Sequence, residues 1–255
     1  MTAPRLLLRV YGDSLSMPRV SAKIGYLDTY AEQVAARLRT ESPSTVCDLY
    51  NRSVGGAAVS ELYARFASDS VYFGTPGGDV MIIQTGIVDC APRPIPHWLR
   101  EQITKLPGHA RAPIIRVLHD HRARFLRLGR TWRRTQPGAF ERQMRRWFGE
   151  ASQRCSHLYV VNILPTHDRF ERRSPGYNSS VRLYNELLAK ALRETAPGAT
   201  LIDAHARTMA EPNGLEKWIN ADDGHHLTLA GHDMVTDALC SAGPLAALTN
   251  ASATR

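Results

Sequence analysis

Lysine, cysteine and long apolar runs are all scarce in this chain, and the shortages remove whole classes of protein. The four cysteines, Cys47, Cys90, Cys155 and Cys240, lie far apart with no CxxC spacing. That pattern points to free thiols and against a zinc knuckle or a disulfide framework. No apolar run approaches the roughly 18 residues of a membrane-spanning helix. Leu6 to Val10 leads into Gly-Asp-Ser, with no small-residue cleavage site after it. The expectation is a cytoplasmic protein without a membrane span. Walker, GxGxxG, HExxH and GxSxG patterns are also missing, which sets aside the commonest nucleotide, zinc-protease and nucleophile-elbow signatures. No repeat of fixed period is present.

Only four lysines (Lys23, Lys105, Lys190 and Lys217) accompany 28 arginines, so the net charge of +8 is almost entirely guanidinium. It is also localised. Residues 103–148 hold eleven arginines and one lysine against Asp120 and Glu141, a local balance of +10 that leaves the remainder near neutral. Within this stretch Ile115, Leu118, Phe125, Leu128 and Trp132 fit one helical stripe, and Arg116, Arg127, Arg130 and Arg134 fit another. The spacing predicts a basic amphipathic helix in an Arg-rich insertion. It reads either as a solvated face or as a dock for something acidic: an anionic substrate, the phosphates of an acyl donor, or an acidic carrier protein. Nucleic acid fits less well, because no aromatic stacking platform accompanies the charge.

The rest of the chain alternates. Leu6–Val10, Ser44–Tyr50, Val80–Gln84, His157–Asn162 and Thr200–Asp203 read as five strands, of which Val80–Gln84 is a continuous apolar run of the kind buried on both faces of a parallel sheet. Between and after them, Ala22–Arg39, Val59–Ala67, Val181–Thr195 and Thr228–Leu239 carry helical spacing, as does Phe140, Met144 and Trp147. Such alternation predicts an α/β fold, with a five-stranded parallel sheet between two helical layers and right-handed crossovers. One domain over residues 1–240 is expected, with 241–255 as a flexible tail.

The first strand ends in Gly12-Asp13-Ser14-Leu15, which places a hydroxyl at a sharp strand-to-helix turn. Near the other end stands Asp222-Asp223-Gly224-His225-His226, with an Asp and a His three apart. Gly55-Gly56 follows the second strand and Gly86-Ile87-Val88-Asp89 the third. In a doubly wound sheet all these positions fall on the rim beyond the carboxyl ends of the strands, where ligands bind. The tetrapeptide and the Asp-x-x-His block, in this order, resemble the first and last blocks of the SGNH, or GDSL, hydrolases. The resemblance spans residues 6–239 and implies the flavodoxin-like, three-layer fold of that family and a serine esterase or acylhydrolase.

What the resemblance implies for each residue agrees with what acyl transfer requires. Ser14 would be the nucleophile, His226 its base through Nε2, and Asp223 the holder of the other imidazole N–H. Asp222 and His225 stand one residue away as alternatives. The backbone N–H groups of Ser14 and of Gly55 or Gly56 would line the oxyanion hole, although the two glycines also suit a plain tight turn. The family's third block usually reads Gly-x-Asn-Asp, and here Val88 replaces the Asn that would donate. Gln84, Arg93 and Asn162 are the candidate replacements. Asp13, Asp89 and Arg93 are assigned to substrate binding, with a turn-bracing role open to Asp13 and a loop-capping role to Asp89. Asn178 and Asn185 read as structural. No cofactor is required. His119-Asp120-His121, with His109 nearby, makes no metal site on a helix, where i and i+2 do not face each other.

The expected activity is cleavage of an ester, an O-acyl group on a sugar or natural-product alcohol, through an acyl-Ser14 intermediate. An acyltransferase with the same three residues and a non-catalytic binding domain are the alternatives.

Overall fold

The structure, a computed structural model, describes residues 5–43, 45–73, 80–129, 131–211 and 214–250. Five strands, β1 (Arg5–Gly12), β2 (Val46–Asn51), β3 (Val80–Gln84), β4 (His157–Val161) and β5 (Thr200–Ile202), form one sheet in the order β2-β1-β3-β4-β5. Every pairing is parallel. β3 is buried along its whole length, as its unbroken apolar sequence requires, since a strand covered on both faces has no polar side to present.

The crossovers explain the layers. β1 reaches β2 through α1 (Tyr30–Glu41), and β2 returns past β1 to β3 through α2 (Val59–Phe73). These two right-handed connections run in opposite directions across the sheet and so put α1 and α2 on opposite faces. α3 (Ile87–Cys90), α4 (His97–Thr104), α5 (Gly108–Asp120), α6 (Arg122–Leu128) and α7 (Pro137–Ser152) connect β3 to β4. α8 (Asp168–Arg173) and α9 (Tyr177–Thr195) lead to β5, and α10 (Ala204–Met209), α11 (Leu229–Cys240) and α12 (Gly243–Asn250) follow it. α2, α7 and α9 pack together, and α1, α11 and α12 form the other group. Among the described residues, no helix is long and apolar enough to cross a membrane.

The architecture expected from the sequence is therefore present, with local differences. The first helix begins at Tyr30 instead of Ala22. Lys23 adopts a left-handed conformation (φ 56°), and Asp28 Oδ2 accepts from the Gly25 N–H at 2.7 Å, so the chain turns where apolar spacing alone predicts a helix. Leu27, which that helical spacing would turn inward with Ile24 and Tyr30, is 75% exposed.

The single basic helix is also corrected. The stretch breaks at His121 into α5 and α6, Trp132 lies beyond both and pairs with Arg93 in an isolated bridge, and Leu128 is 78% exposed. Arg130 lies outside the described residues, as do Ser44 and 251–255. At the far end of the Arg-rich stretch, α7 buries Phe140, Met144, Trp147 and Phe148 in the main core and belongs to the helical layer. The expected flexible tail is helical as far as Asn250, and Leu245 packs fully buried in the core beside α11.

Candidate active site

The turn that holds Ser14 is set from beneath. Asp13 caps a single 3-10 turn, Ser14–Ser16, by accepting the Leu15 N–H on Oδ1 at 3.0 Å. The Ser16 hydroxyl is buried, donates to Gln84 Oε1 at 3.0 Å and bonds the Tyr30 hydroxyl. A Cβ on Gly12 would stand 2.0 Å from Ser16 Oγ and 2.9 Å from Ser53 Oγ, so only glycine fits where β1 ends. As first residue of its turn, Ser14 keeps an N–H that the turn itself does not use.

The imidazole comes from the loop before α11. Asn220 N–H donates to the His226 carbonyl and Gly224 N–H to the Asn220 carbonyl, both at 2.8 Å, closing a compact turn over residues 220–226. Gly224 has φ +76°, and an added Cβ would meet Phe170 Cβ at 2.3 Å, so the turn needs glycine for conformation and for space. His226, only 7% exposed, brings Nε2 to 3.0 Å from Ser14 Oγ. Its Nδ1 lies 3.1 Å from Asp223 Oδ1, within ion-pair reach but off the line of a well-formed hydrogen bond. Asp223 Oδ1 also accepts the backbone N–H groups of His225 and His226, at 3.2 and 3.0 Å. Partial burial opposes ionisation of this carboxyl, but the adjacent His226 ring and the backbone N–H groups it accepts outweigh it and hold Asp223 well below the usual carboxylate range.

Of the neighbouring alternatives, Asp222 is exposed. The His225 ring nitrogen Nδ1 faces the Asp223 carbonyl at 2.9 Å, and burial, then the neighbouring His226, push its pKa down to about 4.

Arg19 has no signal in the sequence, yet it enters this group. One of its terminal nitrogens, Nη2, pairs with Asp223 Oδ2 at 2.9 Å, and the other, Nη1, stands 3.1 Å from His226 Nε2. Asp223, His225 and His226 also bring three metal-ligating atoms within 4.8 Å of one another. With a guanidinium already paired to the carboxylate, the cluster is a poor fit for a cation.

Gly55 and Gly56 reach the same rim because β1 and β2 stay paired past the strand ends: Arg52 N–H donates to Val10 O and Val54 N–H to Gly12 O, at 2.8 and 2.9 Å. Gly56 has φ +73°. Both glycines border a cavity of about 670 Å³ together with Ser14, His226 and Val88. Of the three candidates to replace the missing Asn, Gln84 is buried against Ser16, and Asn162 is occupied by Asp203 and the His205 N–H. Arg93 alone of these lines the cavity, its Nη2 3.4 Å from the Val88 carbonyl.

The structure places Asp13 and Asp89, assigned to substrate binding from the sequence, away from the cavity surface. Both are completely buried and neither borders the cavity. Asp89 accepts the Val59 N–H on both carboxylate oxygens, at 3.3 and 3.0 Å, and bonds the Thr135 hydroxyl, satisfying a donor at the start of α2 that the helix leaves free. Burial raises the Asp13 pKa to about 7 and the Asp89 pKa to about 6. Asn178 and Asn185 bond the backbone of Thr166 and Ile163, as structural residues do.

A five-stranded parallel sheet in this order, with a serine, a histidine and an aspartate gathered at its carboxyl rim, is the architecture of SGNH-type serine acylhydrolases. The chain matches the GDSL-like Lipase/Acylhydrolase family over residues 10–234 and belongs to it. No curated protein matches the chain. Among solved structures it is similar to LAE5, an alpha/beta hydrolase enzyme from the metagenome of Lake Arreo, Spain (16% identity, 98% of this chain and 96% of that one, TM-score 0.61). It is also similar to the lipase/acylhydrolase from Enterococcus faecalis (10% identity, 97% and 96%, TM-score 0.61). A third is Axe2, an acetylxylan esterase from Geobacillus stearothermophilus (16% identity, 94% and 95%, TM-score 0.60). At such identities these likenesses speak for the fold.

Proposed function

We propose that this enzyme hydrolyses an O-acyl ester on a sugar or natural-product alcohol through an acyl-Ser14 intermediate. The observation that carries the reading is the 3.0 Å approach of His226 Nε2 to Ser14 Oγ. A serine hydroxyl is a weak nucleophile until a base takes its proton. Ser14 Oγ attacks the ester carbonyl carbon as its proton passes to Nε2, and Asp223 stabilises the imidazolium. The negative oxygen of the tetrahedral intermediate is met by the N–H of Ser14 and of Gly55 or Gly56. His226 then protonates the leaving alkoxide, which departs as the alcohol. Water repeats the sequence on the acyl-enzyme: its proton goes to Nε2, its oxygen to the carbonyl carbon, and collapse returns the proton to Ser14 Oγ and releases the carboxylic acid.

Hydrolysis of short p-nitrophenyl esters by wild type, Ser14→Ala and His226→Ala tests the reading. Wild type should turn over and both variants should lose at least about a thousandfold in kcat. Equal rates in wild type and Ser14→Ala would overturn it.

A further inference from the structure

Among the described residues, the cavity in front of Ser14 is walled by four arginines and by no carboxylate. Arg93 precedes α4, Arg100 lies on α4, Arg122 opens α6 and Arg173 closes α8, so four separate places in the chain deliver like charge to one hollow. Other arginines of this protein find acids: Arg52 meets Asp69, Arg134 meets Glu61 and Arg145 meets Glu141, at 2.8, 2.8 and 3.1 Å. Among the described residues none of the four cavity arginines has such a partner. Arg122 is anchored by neutral acceptors, the Ser174 hydroxyl at 2.6 Å and the Pro92 carbonyl at 2.5 Å, and Arg173 contacts the His119 ring. Arg93 keeps a buried Nε with no partner at all.

This gathering is costly. Burial, then repulsion by Arg100 and Arg134, pushes the Arg93 pKa down to about 10, and burial likewise lowers that of Arg122. Arg93 and Arg122 are drawn partly out of water beside the exposed Arg100 and Arg173, a set of like charges that a bound anion would relieve, and guanidinium forks match the paired oxygens of carboxylate and phosphate. Ile115, Leu118 and Phe170 supply apolar wall between them. At about 670 Å³ the hollow suits a small molecule. An acidic protein would meet outward-facing arginines such as Arg116 and Arg127 instead.

We infer that the Ser14 cavity selects esters bearing an anionic oxo group, a carboxylate on the acyl side or a phosphate on the alcohol side, held by Arg93, Arg100, Arg122 and Arg173. The inference rests on the reading of Ser14 as nucleophile.

Two matched pairs test it: mono-p-nitrophenyl glutarate against its methyl ester, and an acetylated sugar phosphate against the same acetylated sugar. For one pair, kcat/KM should favour the anion at least about tenfold, and the preference should shrink in high salt. Arg100→Ala combined with Arg173→Ala should bring that ratio towards one, while Arg127→Ala, outside the cavity, leaves it unchanged. The pair that discriminates tells the acyl side from the alcohol side. Ratios near one for both pairs, with hydrolysis intact, would overturn the anion site and spare the esterase reading.

A second measurement does not depend on turnover. Monomethyl glutarate or the sugar phosphate should raise the melting temperature of Ser14→Ala protein, and the double arginine variant should lose the rise. Absence of any rise with either anion would overturn the inference even if no ester is hydrolysed.

Discussion

Arg19 Nη1 stands 3.1 Å from His226 Nε2, the nitrogen that also lies 3.0 Å from Ser14 Oγ. A neutral imidazole with its proton on Nδ1, towards Asp223, has one lone pair at Nε2, and two donors face it. While the guanidinium holds that lone pair the serine proton has nowhere to go. Arg19→Ala should therefore speed fluorophosphonate labelling of Ser14 and hydrolysis of neutral p-nitrophenyl esters by about threefold to tenfold, the scale of ~1 kcal/mol for one competing hydrogen bond. Stopped-flow labelling rates check this. A slower variant would instead make Arg19 a positioning residue acting through its 2.9 Å pair with Asp223.

Val88, which stands where the resemblance to the family places an Asn oxyanion donor, borders the cavity. Adding that donor should raise kcat more than it alters KM, because the interaction grows with charge on the oxygen. Val88→Asn is expected to raise kcat on neutral esters about tenfold, less than the full worth of an ideally placed donor. An unchanged kcat would mean that the third donor is already supplied, with Arg93 the group in reach.

Asp13 gives a pH dependence of folding with a definite sign. Its folded pKa is about 7 against an ordinary 3.8, so as pH rises the unfolded chain releases its proton first. Stability is then full below about 3.8, falls through the interval and is lowest above about 7; Asp89, at about 6, acts in the same direction. Asp223, shifted the opposite way, contributes stability that is lost only as pH falls below the carboxylate range. Asp13→Asn keeps an acceptor for the Leu15 N–H and removes the ionisation, so the urea midpoint should fall less between pH 5 and pH 8 than in wild type. The difference is on the order of a few kcal/mol. Equal slopes in the two proteins would refute the buried-proton account.

Much of this architecture was legible because the sequence expresses it locally. Val80–Gln84 reads as a buried strand since every residue must be apolar or satisfied there, and Gly12 marks a turn with no room for a side chain. Ser14 and His226 meet across 212 residues because a parallel sheet sends the ends of its strands to one rim. Other features depend on contacts that spacing does not encode. The burial of Asp13 and Asp89 follows from the turn and the α2 terminus they satisfy, which made carboxylates near the site look like ligands. The break at His121 separates two helices that share one apolar period. Ile115 and Leu118 then line the cavity, while Leu128 stays in solvent. Arg19 lies five residues past the serine with nothing in its neighbours to mark it, and only the folded loop brings it to the imidazole.

Hydrolysis by this site requires Ser14 to be a nucleophile made reactive by His226. Fluorophosphonate treatment followed by peptide mass spectrometry reads this directly. The adduct is predicted on Ser14 in wild type, with labelling slowed at least about a thousandfold in His226→Ala. An adduct on another residue, or labelling at the same rate without the imidazole, would contradict it.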